Sequence, residues 1–113
     1  MIPLGVEIFV ARKPIDMRSS FDRLSGIVRE EIGRDPRGRA MFVFFGRRRN
    51  AVKVMFFDGS GFCIFYKRLD RGVFQIPGDE DDPSEHITLE AHALDALLDG
   101  IDVEKSAPRR RVH

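Results

Sequence analysis

Cysteine occurs once, at Cys63, and tryptophan not at all. A lone thiol excludes an intramolecular disulfide and leaves no zinc-type cysteine spacing, so a reducing cytoplasm is the expected setting. Long apolar runs are missing too. No stretch approaches the ~20 apolar residues that span a bilayer, and the start, Met1 to Val10, has no basic leader before its apolar residues. Neither secretion nor membrane insertion is expected. A glycine-rich phosphate loop, a nucleophile elbow and a paired-carboxylate motif are also absent, so no catalytic residue, metal or cofactor is assigned and the chain is expected not to be an enzyme.

What is present is enough apolar material for a core. The chain of 113 residues is 42% hydrophobic and 33% charged, too apolar for a disordered segment. Ten of its eleven aromatic residues are Phe, most of them between Phe42 and Phe74, which marks the middle of the chain as the densest packing. Residues 1–104 are expected to form one domain, and residues 105–113 a basic flexible tail.

Val6, Ile8 and Val10 alternate with Glu7 and Phe9, the period of a strand with one buried face. Asp16 is placed to cap a helix running to about Glu31, with Met17, Phe21, Leu24 and Val28 as its core stripe and Gly33 as its stop. Asp35-Pro36-Arg37-Gly38 reads as a turn. Met41 to Phe45 is wholly apolar, which predicts a central strand buried on both faces. Gly46 to Asn50 has hairpin length and leads into a β-prone segment, Val52 to Phe57. Asp58-Gly59-Ser60-Gly61 is a further turn, and Phe62 to Leu69 returns as the next strand. Val73 to Ile76 is expected as a short edge strand ended by Pro77, and Gly78 to Ser84 as an exposed acidic loop. Thr88 is placed to cap a second helix, Leu89 to about Asp99, ending at Gly100. The expected fold is α+β: a mainly antiparallel β-meander of about five strands with two covering helices.

The formal net charge of +1 conceals a strong segregation. Residues 1–78 hold 15 Lys and Arg against 8 Asp and Glu, whereas residues 79–104 hold 10 acids and no base. Fifteen of the 19 basic residues are Arg, which makes bidentate contacts with phosphate or carboxylate. Arg47-Arg48-Arg49-Asn50 falls on the hairpin tip, with Lys53, Lys67, Arg68 and Arg71 on flanking strands or turns. Such a cluster can track DNA phosphates and release counterions without reading sequence. A hairpin tip must also be polar, and Arg keeps a sheet edge soluble, so solvation alone is the alternative. Arg109-Arg110-Arg111 can add nonspecific attraction or be a solvated end. The acidic stretch Asp79-Glu80-Asp81-Asp82 can dock a basic protein surface, fold over the chain's own Arg patch, or stay solvated. His86 and His92 are spaced onto different faces of a helix, which disfavours a shared metal, and Cys63 beside Phe62 and Ile64 reads as an inert core thiol. A metal nuclease built on Asp58 and Lys67 has no support in their spacing.

Seven islands, in order, resemble the TnpB accessory proteins of insertion-sequence family sixty-six. They are Ile2-Pro3 with Gly5-Val6; Asp16-Met17-Arg18 with Phe21-Asp22-Arg23-Leu24; Gly33-Arg34-Asp35-Pro36; Phe42-Val43-Phe44 with Arg47-Arg48; Asp58-Gly59; Lys67 to Phe74; and Leu97 to Asp102. Phe57 before Asp-Gly, and Gln75-Ile76-Pro77, depart from the family's pattern, which often has Trp at those places. The resemblance implies a mobile element whose separate transposase uses three acidic residues and magnesium, with this protein in support of it. Within the second island capping and packing account for Asp16, Met17 and Phe21, which leaves Arg18 to pair with Asp22 or to meet a ligand. The function expected is a noncatalytic transposition factor whose partners are DNA and the transposase of the same element. The rival is a protein–protein adaptor that never touches DNA.

Overall fold

Two segments are apolar almost without interruption, and strands of that composition are stable only with both faces covered. The computed structural model describes residues 5–76, 78 and 83–100. In it these segments are β1 (Glu7–Ala11) and β2 (Ala40–Phe45), paired in parallel from Glu7 with Ala40 to Val10 with Val43. A parallel pair cannot be joined by a tight turn. The connection contains α1 (Phe21–Ile27) and continues into a π-helical turn, Val28–Ile32, stopped by Gly33 at φ 75°. On the other side of β2, β3 (Ala51–Phe57) and β4 (Phe62–Arg68) follow as antiparallel hairpins, and β5 (His86–Leu89) pairs antiparallel with the free side of β1. The order is β4-β3-β2-β1-β5. It is an α+β fold of five strands and two helices; the sheet is mixed, because the β1–β2 pair is parallel.

The helices cover opposite faces. Leu24, Ile27, Val28 and Ile32 pack on Phe9, Ala11, Phe42, Phe44 and Met55. Leu94 and Leu97 of α2 (Ala91–Leu98) pack on Ile8, Val10, Val43, Phe45, Val52 and Val54 from the other side. Each fully buried Phe, Leu or Val contributes roughly 1.5–3 kcal/mol relative to exposure. Among the described residues no helix is long and apolar enough to cross a membrane.

The structure corrects several expectations. β1 is buried on both faces, so Phe9 faces α1 instead of water. Asp16 does not cap the helix: Arg18 claims its carboxylate, a turn closes from Ser19 N–H to the Asp16 carbonyl, and α1 begins only at Phe21. Met17 therefore lies outside the helix, and Phe21 is exposed. Val73 to Ile76 forms no strand. Phe74 instead drives into the core against Phe45, with ring centroids 5.8 Å apart, while Val73 faces solvent. The fifth strand comes from His86–Leu89, which takes Thr88 into the ladder and leaves Glu90 at the start of α2. Ile2-Pro3, Pro77, Asp79 to Asp82, Ile101-Asp102 and the 105–113 tail with Arg109 to Arg111 lie outside the described residues.

Candidate nucleic-acid interface

A five-residue connection between two buried strands must turn sharply and face water. Here Gly46 N–H donates to the Ala51 carbonyl at 3.2 Å and Arg49 N–H to the Gly46 carbonyl at 3.0 Å. Arg49 takes φ 61°, a left-handed conformation costly for a residue with a Cβ. The outward carbonyls of the tip are held as well, by Phe74 N–H on Arg49 at 2.7 Å and Leu69 N–H on Asn50 at 2.8 Å. Arg47, Arg48 and Arg49 thus project from a braced backbone, exposed and without a side-chain hydrogen bond or ion pair among the described residues.

Beside them the chain entering α1 is pinned to the end of β2. Ile15 N–H donates to the Phe45 carbonyl at 2.8 Å and Ile15 bridges Gly46. Met17 lies so close over Gly46 that a Cβ there would sit 2.8 Å from Met17 Cγ. Arg18 forks onto Asp16, with Nη2 donating to Oδ2 at 2.7 Å and Nε to Oδ1 at 3.1 Å. Those hydrogen bonds hold the Asp16 carboxyl well below the usual carboxylate range and raise the Arg18 guanidinium. Arg18 pairs with Asp16, two residues back, and not with Asp22 as the helical spacing suggested.

The third wall comes from register. Ala51 opposes Arg68 and Lys53 opposes Tyr66, so Tyr66 and Arg68 share the α1 face while Lys67 points to the α2 face. The result is an open cleft of about 340 Å³ lined by Ile15, Asp16, Met17, Asn50 and Tyr66 and rimmed by Arg47, Arg48 and Arg68. Arg68 Nη2 donates to the Tyr66 hydroxyl at 3.4 Å, which raises the Arg68 guanidinium.

The predicted cations divide accordingly. Arg47, Arg48, Arg49 and Arg68 gather at this end of the sheet, with Arg18 beside them but engaged by Asp16. Arg71 is fully exposed, 3.9 Å from Asp70. Lys53 is buried, its ammonium donating to the Ser19 carbonyl at 2.7 Å, and Lys67 donates to the Leu98 carbonyl at the end of α2 at 2.6 Å. Ile15, Met17, Asn50 and Tyr66 were missed as site residues; Tyr66, the one tyrosine, was the available signal.

Elsewhere Asp58 is consumed by its own turn, Oδ1 accepting from Ser60 N–H at 2.9 Å and Gly61 N–H at 3.0 Å, which lowers its pKa. It lies at the opposite end of β4 from Lys67, about 17 Å of strand away. Cys63 is half-buried on the edge strand and not a core thiol; desolvation, then the Asp58 carboxylate at 3.6 Å, raises its pKa. His86 is in β5, edge-on to Phe9, and His92 lies beside Glu90 on α2. Among the described residues no three His, Cys, Asp or Glu side chains converge as a metal ion requires. On the α2 face an apolar groove of about 710 Å³ runs between Phe56, Phe65 and Leu98, edged by Asp95, Asp99 and Lys67, the last bound to the Leu98 carbonyl.

A helix-covered mixed sheet with an arginine hairpin at one end defines a small α+β domain, and comparison assigns its family. Residues 6–108 match the model of the IS66 Orf2-like protein family, TnpB, and the chain belongs to that family. It is 39% identical over 104 residues to protein y4hO of Sinorhizobium fredii, covering 90% of this chain and 88% of that one. It is 30% identical over 106 residues to y4jC of the same organism, covering 94% and 91%. Neither relative's name states an activity. No solved structure matches.

Proposed function

We propose that this protein is a noncatalytic accessory factor of insertion-sequence transposition that binds DNA through Arg47, Arg48, Arg49 and Arg68, acting in the cytoplasm beside the transposase of its element. Family membership supports the transposition role. The DNA reading rests on one observation: Arg47, Arg48 and Arg68 rim one cleft and the exposed Arg49 projects from the same braced hairpin, while Lys53 and Lys67 are spent on backbone carbonyls. A braced backbone lowers the cost of presenting guanidiniums, which fork onto phosphate oxygens. Lys53 and Lys67 are therefore left out of the interface, and Arg18 serves to shape the cleft wall.

Fluorescence anisotropy against labelled transposon-end and random duplexes tests this. Salt-sensitive binding that weakens strongly in an Arg47→Ala, Arg48→Ala, Arg49→Ala variant is the expected result; no wild-type binding at low salt overturns it. The groove edged by Asp95 and Asp99 favours a second reading, in which the transposase docks there through an apolar, basic segment. Co-purification with the transposase in high salt without any DNA binding is the outcome that reading requires.

A further inference from the structure

The cleft beside the hairpin is more than a set of charges. Phosphate tracking needs only exposed cations, yet here three arginines surround a slot of mixed polarity, with Ile15, Met17 and an aromatic wall on its apolar side and Asp16, already paired with Arg18, and Asn50 on its polar side. Tyr66, on the edge strand β4, is 47% exposed. Its ring has two neighbours: Lys53 Nζ lies 5.2 Å from the ring centre, and Arg68 donates to the hydroxyl at 3.4 Å. Ile15 and Met17 supply apolar surface, and the close fit of Met17 over Gly46 fixes that side of the slot. Asn50, with an amide that both donates and accepts, opens into it. The volume, about 340 Å³, is at the scale where small-molecule sites begin.

A flat aromatic ring, an amide and flanking guanidiniums are the groups that recognise a splayed nucleotide. The ring stacks on the base, the amide meets its edge, and the cations hold its phosphates. A base inside a duplex is already stacked on both faces and cannot enter. Resting on the DNA-binding reading above, we infer that this cleft takes one unpaired base of single-stranded DNA, stacked on Tyr66 with its phosphates on Arg47, Arg48 and Arg68. The protein then prefers DNA with an unpaired end or an opened segment over a closed duplex.

The test compares a blunt duplex with the same duplex carrying a short single-stranded overhang that contains 2-aminopurine. Wild type, Tyr66→Phe and Tyr66→Leu are measured, the last keeping bulk on the strand without an aromatic face. Wild type and Tyr66→Phe bind the overhang about tenfold tighter and quench its fluorescence. Tyr66→Leu loses the preference and the quenching. Equal wild-type affinity for blunt and overhang DNA overturns the inference and leaves the DNA-binding reading standing; salt-insensitive or absent binding to both ends the two together. A preference unchanged in Tyr66→Leu also overturns it. Free deoxynucleoside monophosphate binding as tightly as the overhang moves the site from a strand to a free nucleotide and overturns the assignment to DNA.

Discussion

Arg49 carries two properties that substitution can separate: a charge directed to solvent and a backbone at φ 61°. A left-handed conformation costs a residue with a Cβ roughly 1–2 kcal/mol, which glycine escapes. Glycine gives part of that back, because its unfolded chain is freer by about 0.4–1 kcal/mol than alanine's. Both Arg49→Gly and Arg49→Ala delete the same guanidinium, but only the glycine variant relaxes the backbone. Arg49→Gly is therefore expected to be about 0.5–1 kcal/mol more stable than Arg49→Ala, or roughly 2–5 °C in melting temperature for a domain of this size. Urea titrations read the difference as a shift in midpoint at constant slope. Affinity for duplex DNA should fall equally in the two, since one phosphate contact is lost in each. Identical stability of the pair refutes the strain argument. An affinity retained in either refutes Arg49 as a DNA contact.

Further outcomes follow from the same geometry. Phe74→Ala removes a fully buried ring from the α2-side core and should cost about 3–5 kcal/mol in chemical denaturation, far more than truncation of its solvent-facing neighbour Val73. Lys67→Met keeps the aliphatic stem but leaves the Leu98 carbonyl without its ammonium; thermal melts should show a loss of about 1–2 kcal/mol with DNA affinity unchanged. The Asp16 carboxyl is depressed by Arg18, so its contribution is complete above the ordinary carboxylate value of 3.8 and is lost as pH falls through the lower folded value. The stability gap between wild type and Asp16→Asn should stay flat from pH 7 to about 5 and shrink only below that. A gap that widens on acidification contradicts the assigned pair.

Where local chemistry decided the outcome, the sequence was readable. The wholly apolar Met41 to Phe45 became the central strand, Gly33 ended the helix, and Asp58-Gly59 closed a turn with its own carboxylate. Partners distant in sequence decided the rest. β5 is short and half polar, and it is a strand only because β1 offers an open side to it. Val73 to Ile76 looks more β-prone, yet the hairpin carbonyls of Arg49 and Asn50 and the space beside Phe45 draw this segment inward. Asp16 resembled a helix cap until Arg18 took it. The arginine hairpin was legible because a tip must be polar. The cleft was not, since Ile15, Met17 and Tyr66 meet only through the parallel bridge at Gly46 and the β3–β4 register. The same register set Lys53 and Lys67 against carbonyls, which nothing in their local spacing announces.

The central claim is that the arginines of the hairpin and its cleft bind DNA phosphates, and the salt dependence of duplex binding tests it most directly. Each phosphate neutralised contributes about −0.9 to the slope of log affinity against log salt, so Arg47, Arg48, Arg49 and Arg68 together predict about −3.6 for wild type. The Arg47→Ala, Arg48→Ala, Arg49→Ala variant should retain a slope near −1. A wild-type slope near zero, or a slope that the triple variant leaves unchanged, contradicts the account.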